Sequence, residues 1–124
     1  MPSKLSIVNG RVVIELSRMA RIASLRSSFG FDTSDITDVR LAGHHDRRRF
    51  MDIARYDHYL GGVIPALDRN GRAISEFWDV DDPNNMVVIH LRWPHDGIGI
   101  VYVSADDPRG LVRRLSQYDE SGVS

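Results

Sequence analysis

The stretch that decides the fold is GGVIPALDRNGRAISEFWDVDDPNNMVVIHLRWPHDGIGIVYVSADDPRGLVRRLSQY, residues 61–118. Short runs rich in β-branched and aromatic residues alternate in it with turn signals, and a helix-start signature closes it. Residues 62–67 read as a strand. Pro65 inside that run predicts an edge position or a bulge, because proline has no N–H to give to a ladder. Asp68-Arg69-Asn70-Gly71 is a hairpin turn. Over residues 73–80 the alternation places Ile74, Glu76, Trp78 and Val80 on one face and Phe77 on the other. Asp81-Asp82-Pro83-Asn84-Asn85 turns the chain again, and the nearly continuous apolar run 86–91 predicts a central strand. Residues 94–97 make another turn and 98–103 return the chain. Asp106-Asp107-Pro108 then marks a helix start, with an Asp cap and proline just inside. Leu111, Val112, Leu115 and Tyr118 give the stripe of a helix packed on a sheet.

Upstream, Asn9-Gly10 separates two β-branched runs, a hairpin signal because both positions tolerate positive φ. Either residues 4–16 form a hairpin or only 11–16 is a true strand; the short terminal lead-in favours the second. Ser17 can cap a short helix at about 18–25, with Met19, Ile22, Ala23 and Leu25 on one face. Residues 27–32 and 36–42 read as strands, the first carrying Phe29 and Phe31 on one face. Residues 43–59, GHHDRRRFMDIARYDHY, have room for a helical turn near 48–54, but Gly43 and the dense polar residues favour a long connection. Loops of that length inside a compact domain are often functional.

The 124 residues fit one domain with a core of about 11–118 and a frayed tail at 119–124. Composition is ordinary for a globular chain, 42% hydrophobic and 27% charged, which excludes general disorder. A net charge of −1 supplies no global basic field, so no nucleic-acid partner is expected. The absence of cysteine removes disulfides, thiolate chemistry and Cys-based metal sites. The N-terminal residues hold no apolar run of signal-peptide or membrane-span length, so a cytoplasmic location is the expectation. An antiparallel series of about seven strands, with a short helix after the first and one helix at the end, predicts a mainly β fold with α: a small antiparallel barrel capped by the C-terminal helix.

In this order the segments resemble a pleckstrin-homology-like barrel, and in particular a small pleckstrin-homology-like family of actinobacterial proteins. The resemblance is carried by residues 12–25, Ile36-Thr37-Asp38-Val39, residues 61–67, Glu76-Phe77-Trp78, residues 87–91 and Asp107-Pro108. It spans most of the chain and lies in the order of the segments. The departure is at residues 47–59, which are basic and aromatic where that family is richer in glycine. The resemblance implies a fold and carries no activity. It also implies that loops at one barrel mouth, here residues 43–59 and the arginine-bearing segment after the first strand, correspond to loops that bind acidic head groups in some members.

The candidate anion- or partner-binding residues are Arg47, Arg48 and Arg49 with His44, His45, Tyr56 and His58, joined by Arg18 and Arg21. Arginine forks suit phosphate and carboxylate. The competing view is a solvated loop whose arginines pair with Asp46, Asp52 and Asp57. Histidines 44, 45 and 58 with Asp46 or Asp57 could make a zinc set, but no HExxH or similar spacing fixes one, so no metal or cofactor is assigned. No GxSxG, P-loop or GxGxxG is present, so no catalytic residue is assigned. Glu76 and Asp79 fall on opposite strand faces and cannot flank one bond. His90, inside an apolar strand, reads as a core or edge histidine, Trp78 as core, and Trp93 as the more exposed aromatic.

The function these features favour is a non-enzymatic binding or scaffold module that recognises an anionic group or a protein partner through residues 43–59. Contact with a membrane surface, and a homodimer by edge-strand pairing, fall within that class. The alternative is a small ligand- or metal-binding barrel enzyme using His44, His45, His58 and Tyr56.

Overall fold

The computed structural model describes residues 4–15, 28–56, 62–68, 70–95 and 97–121. Among them are eight strands and two α-helices. The strands are β1 (Lys4–Val8), β2 (Arg11–Glu15), β3 (Ser28–Asp32), β4 (Ile36–Leu41), β5 (Gly62–Leu67), β6 (Ala73–Asp79), β7 (Met86–His95) and β8 (Ile98–Ser104). The helices are α1 (His44–Tyr56) and α2 (Pro108–Ser121).

The strands form two sheets instead of one seven-strand barrel: a three-stranded sheet in the order β1-β2-β3 and a five-stranded sheet in the order β4-β7-β8-β6-β5. The extra strand comes from the Asn9-Gly10 turn. Both residues adopt positive φ, 50° and 76°, and β1 pairs with β2 from Lys4↔Glu15 to Val8↔Arg11, so the lead-in is a full strand. The sheets separate at the 3-10 turn Thr33–Asp35, where the Thr33 N–H and hydroxyl both donate to the Gly10 carbonyl (2.9 and 2.8 Å). Within the larger sheet β6 and β8 run parallel, not antiparallel as expected, and β4 and β5 are its unpaired edges, so it is not closed. Pro65 therefore lies in an edge strand, and β7 lies centrally between β4 and β8, as the sequence predicts. The expected helix at 18–25 lies outside the described residues.

Each face of the five-stranded sheet has its own core. On one face Val39, Phe77, Val87, Ile89, Val101 and Val103 pack with Val12, Ile14 and Phe31 of the smaller sheet and with Leu111 and Leu115 of α2. The α2 cap is as expected, with Pro108 first in the helix and the Asp107 carboxylate accepting from the Gly110 N–H at 3.1 Å. On the other face Trp78, Val80, Met86, Val88 and Tyr102 pack with Phe50 of α1. Residues 44–56, expected as a connection, are a 13-residue helix. No helix among the described residues is long and apolar enough to cross a membrane.

Candidate functional site

The α1-covered face is best followed in rows that run across the strands. One row is Arg40, Val88, Tyr102, Trp78 and Gly62, and the next is Asp38, His90, Ile100, Glu76 and Ile64. Helix α1 lies on the first row and reaches the second with one side chain.

Its inward positions are Asp46, Arg49, Phe50 and Ile53, an i, i+3, i+4, i+7 stripe whose first half is charged. Asp46 is buried (4% exposed) and receives a fork from Arg40, Nη1 to Oδ2 at 2.6 Å and Nη2 to Oδ1 at 3.2 Å. The Gly43 N–H also donates to Asp46 Oδ2 at 2.9 Å, which satisfies a backbone donor at the helix start. Burial alone pushes the Asp46 carboxyl up, but the Arg40 hydrogen bonds, the Gly43 N–H and the Arg40 charge outweigh it and hold the group below the usual carboxylate range.

Three residues on, Arg49 pairs with Glu76, which is 2% exposed. Glu76 also accepts from Trp78 Nε1 and from the Tyr102 hydroxyl, both at 3.2 Å. A buried carboxylate is tolerated because its oxygens are met by one cation and two neutral donors. The Trp78 and Tyr102 rings stack at 3.8 Å, and the Arg49 guanidinium sits 5.7 Å from the Trp78 ring centroid. Burial, and then the Glu76 charge, push the Tyr102 phenol well above its ordinary range.

This packing sorts the sequence-predicted site residues. Arg49 is turned under the helix toward Glu76, and Arg47 donates from Nη1 to the Ala42 carbonyl at 2.9 Å. His44, His45 and Arg48 are exposed on the first turns of α1. Tyr56 is the last helical residue, and His58, Arg18 and Arg21 lie outside the described residues. The arginines of 47–49 do not converge on one point, and Asp46 pairs with Arg40 of β4, not with one of them. Among the described residues no group of three histidine or acidic side chains is placed to hold an ion. Trp78 is fully buried, as expected for a core residue, and Phe77 lies on the opposite face.

Beyond the second row α1 no longer covers the sheet, and a groove of about 580 Å³ opens there. Ile74, Gly99 and Ile100 of β6 and β8 contribute apolar lining. Leu67, Asp68 and Asn70 of the β5–β6 hairpin line it on one side, and Thr37, Asp38, His90 and Arg92 of β4 and β7 on the other. This volume falls within the range of small-molecule sites. Residues 90 and 92 put two polar side chains into a run otherwise written in Met, Val, Ile and Leu, a signal that the sequence carries and that a core assignment for His90 passes over. His90 is partly buried, and Thr37 Oγ1 donates to its carbonyl at 3.2 Å.

Comparison of the chain with protein-family models, with curated proteins and with solved structures finds no match in any of the three.

Proposed function

We propose that this chain is a binding module, without catalysis of its own, whose ligand is a small amphipathic molecule seated in the groove between the β5–β6 hairpin and the β4–β7 pair. The observation that carries this reading is the division of one sheet face. Half of it is closed by α1 over a fully partnered polar network, and the other half is a groove with apolar lining and polar residues on both sides. Concave sites of this make-up bury the body of a ligand and orient it by a few polar contacts.

Among the described residues, the recognition of an anionic partner expected of residues 43–59 falls to His44, His45 and Arg48, because Arg47 and Arg49 are engaged within the fold. Three exposed side chains on a helix surface offer no concavity, so the groove is the better site.

A screen of small amphiphiles against the whole chain, read by methyl NMR, tests the proposal. Hits should shift the methyls of Ile74, Ile100 and Leu67, and Leu67→Asp, at a side chain 68% exposed, should weaken them without unfolding the protein. Hits confined to the exposed surface of α1 around Met51, or no hits at all, would refute it.

A further inference from the structure

Among the described residues the two sheets have four edges, β1, β3, β4 and β5, and three of them carry charge. Lys4 lies on β1, Asp32 on β3, and Asp38 and Arg40 on β4, against which α2 also packs. Charged or covered edges resist pairing with another chain. Strand β5 (GVIPAL) has no charged residue, and Val63, Pro65 and Leu67 stand exposed at every second position, Val63 by 48% and Leu67 by 68%. The ladder fixes which backbone groups look outward. Strand β5 pairs with β6 without a register break, and the Asp68 N–H donates to the Arg72 carbonyl at 2.9 Å, the next pair after Leu67↔Ala73. Hydrogen-bonded and non-bonded pairs alternate in an antiparallel ladder. Residues 62, 64, 66 and 68 therefore face β6, and residues 63, 65 and 67 face the open edge. Proline occupies the middle one.

An open, uncharged strand of this kind matches a second copy of itself. A two-fold axis at residue 65 sets Val63 beside Leu67 of the second copy and Leu67 beside its Val63, apolar against apolar with no like charges meeting. At each facing pair the strands would exchange two N–H···O bonds. Pro65 breaks that pairing at its centre. It has no N–H to give, and its ring stands where the donor would, against the carbonyl of the approaching strand. Moving the axis by one residue only sets Pro65 against Val63 or Leu67 of the second copy. A pairing that stops short of Pro65 keeps a single outward-facing residue. We propose that Pro65 keeps the chain monomeric by closing β5 to the β5 of a second copy. The homodimer by edge-strand pairing that the sequence permits is the assembly this residue prevents, and Val63 and Leu67 stay exposed because of it.

Pro65→Val and Pro65→Thr restore the donor with residues that suit a strand. Residue 65 makes no ladder bond to β6, so neither change removes one from the fold, and circular dichroism should be unchanged. Sedimentation velocity on the whole chain, up to millimolar concentration, measures self-association. The wild type should stay monomeric, and both variants should dimerise at least about thirtyfold more tightly than any wild-type association, the worth of the two central hydrogen bonds. Amide hydrogen exchange by NMR locates the contact. The amides of residues 63, 65 and 67 in the variants should gain protection as concentration rises, while those of Ile64 and Ala66, already facing β6, should change little. Adding Val63→Lys to Pro65→Val should return the monomer, because a lysine guards the edge as the other edges are guarded. A wild type that dimerises as tightly as the variants, or variants that both stay monomeric, would overturn the proposal. So would a variant dimer that leaves the Val63 and Leu67 amides unprotected.

Discussion

Arg49→Met removes the cation from beneath α1 and leaves Glu76 in the core. Glu76 is 2% exposed, and a buried ion pair that loses one partner costs about 3–5 kcal/mol because the remaining charge stays desolvated. Two features lower that figure here. The Arg49 side chain is 34% exposed, so part of its attraction is already screened, and the Trp78 and Tyr102 donors remain on the carboxylate. Methionine also keeps most of the apolar stem over Trp78. The expected loss is about 2–3 kcal/mol, a fall in melting temperature of roughly 10 °C for a domain of this size. Urea unfolding followed by circular dichroism measures it, with an unchanged m-value showing that the folded state is intact. The charge argument makes a sharper demand on the double variant. In Arg49→Met/Glu76→Gln the amide carbonyl still accepts from Trp78 and the amide nitrogen can donate to Tyr102, so no charge is left buried. It should be at least about 1 kcal/mol more stable than Arg49→Met alone. A single-variant cost under about 0.5 kcal/mol, or a double variant no more stable than the single, would refute this account of how α1 is held.

Asp46→Asn should cost about 1–2 kcal/mol at neutral pH through the lost Arg40 fork. Because the folded carboxyl is held low, the contribution is present above the unfolded value near 4 and is lost as pH falls through the folded one. The gap between wild type and Asp46→Asn in urea midpoint should therefore narrow below about pH 4. Tyr102 works in the opposite direction. Its folded phenol is pushed up, so its contribution is present below about pH 10 and is lost as pH rises beyond that, when the unfolded chain ionises first. Tyr102→Phe should cost about 1 kcal/mol at pH 7 and flatten this part of the alkaline decline, read by thermal melts across pH 9–11. Asp107→Ala removes the cap of α2 and should lower stability by about 1 kcal/mol in the same urea assay without altering ligand binding in the groove.

Much of the larger sheet is legible in the sequence because its strands obey period two. Phe77 and Trp78 fall on opposite faces, Pro65 marks an edge and Met86 begins a central strand, all from alternation and turn chemistry. Two elements depart from the local sequence pattern for specific reasons. Residues 4–8 looked too short and terminal to form a strand, yet the positive-φ Asn9-Gly10 turn supplies β1 with its partner. Helix α1 was hidden because its buried stripe begins with Asp46 and Arg49. A pattern search that counts only apolar residues finds Phe50 and Ile53 and stops at one helical turn. The missing information was tertiary: Arg40 lies on β4 and Glu76 on β6, and nothing in the local sequence announces that they pair with residues 46 and 49.

The same charged stripe accounts for where the groove begins. An all-apolar helix would gain by lying over as many apolar side chains as it could reach, Ile74 and Ile100 included. Helix α1 is held by two directional ion pairs, Asp46 to Arg40 in the first row and Arg49 to Glu76 in the second, and each fixes its position to within a hydrogen-bond length. Sliding along the sheet toward Asp38 and His90 would break both and leave Asp46 and Glu76 buried without their cations, a larger loss than the apolar area could return. The groove is thus left open by the placement of four charged side chains in the covered half. It follows that changing Ile74 or Ile100 to another apolar residue alters the groove surface without moving α1, whereas a change at Glu76 or Asp46 alters both halves of the face.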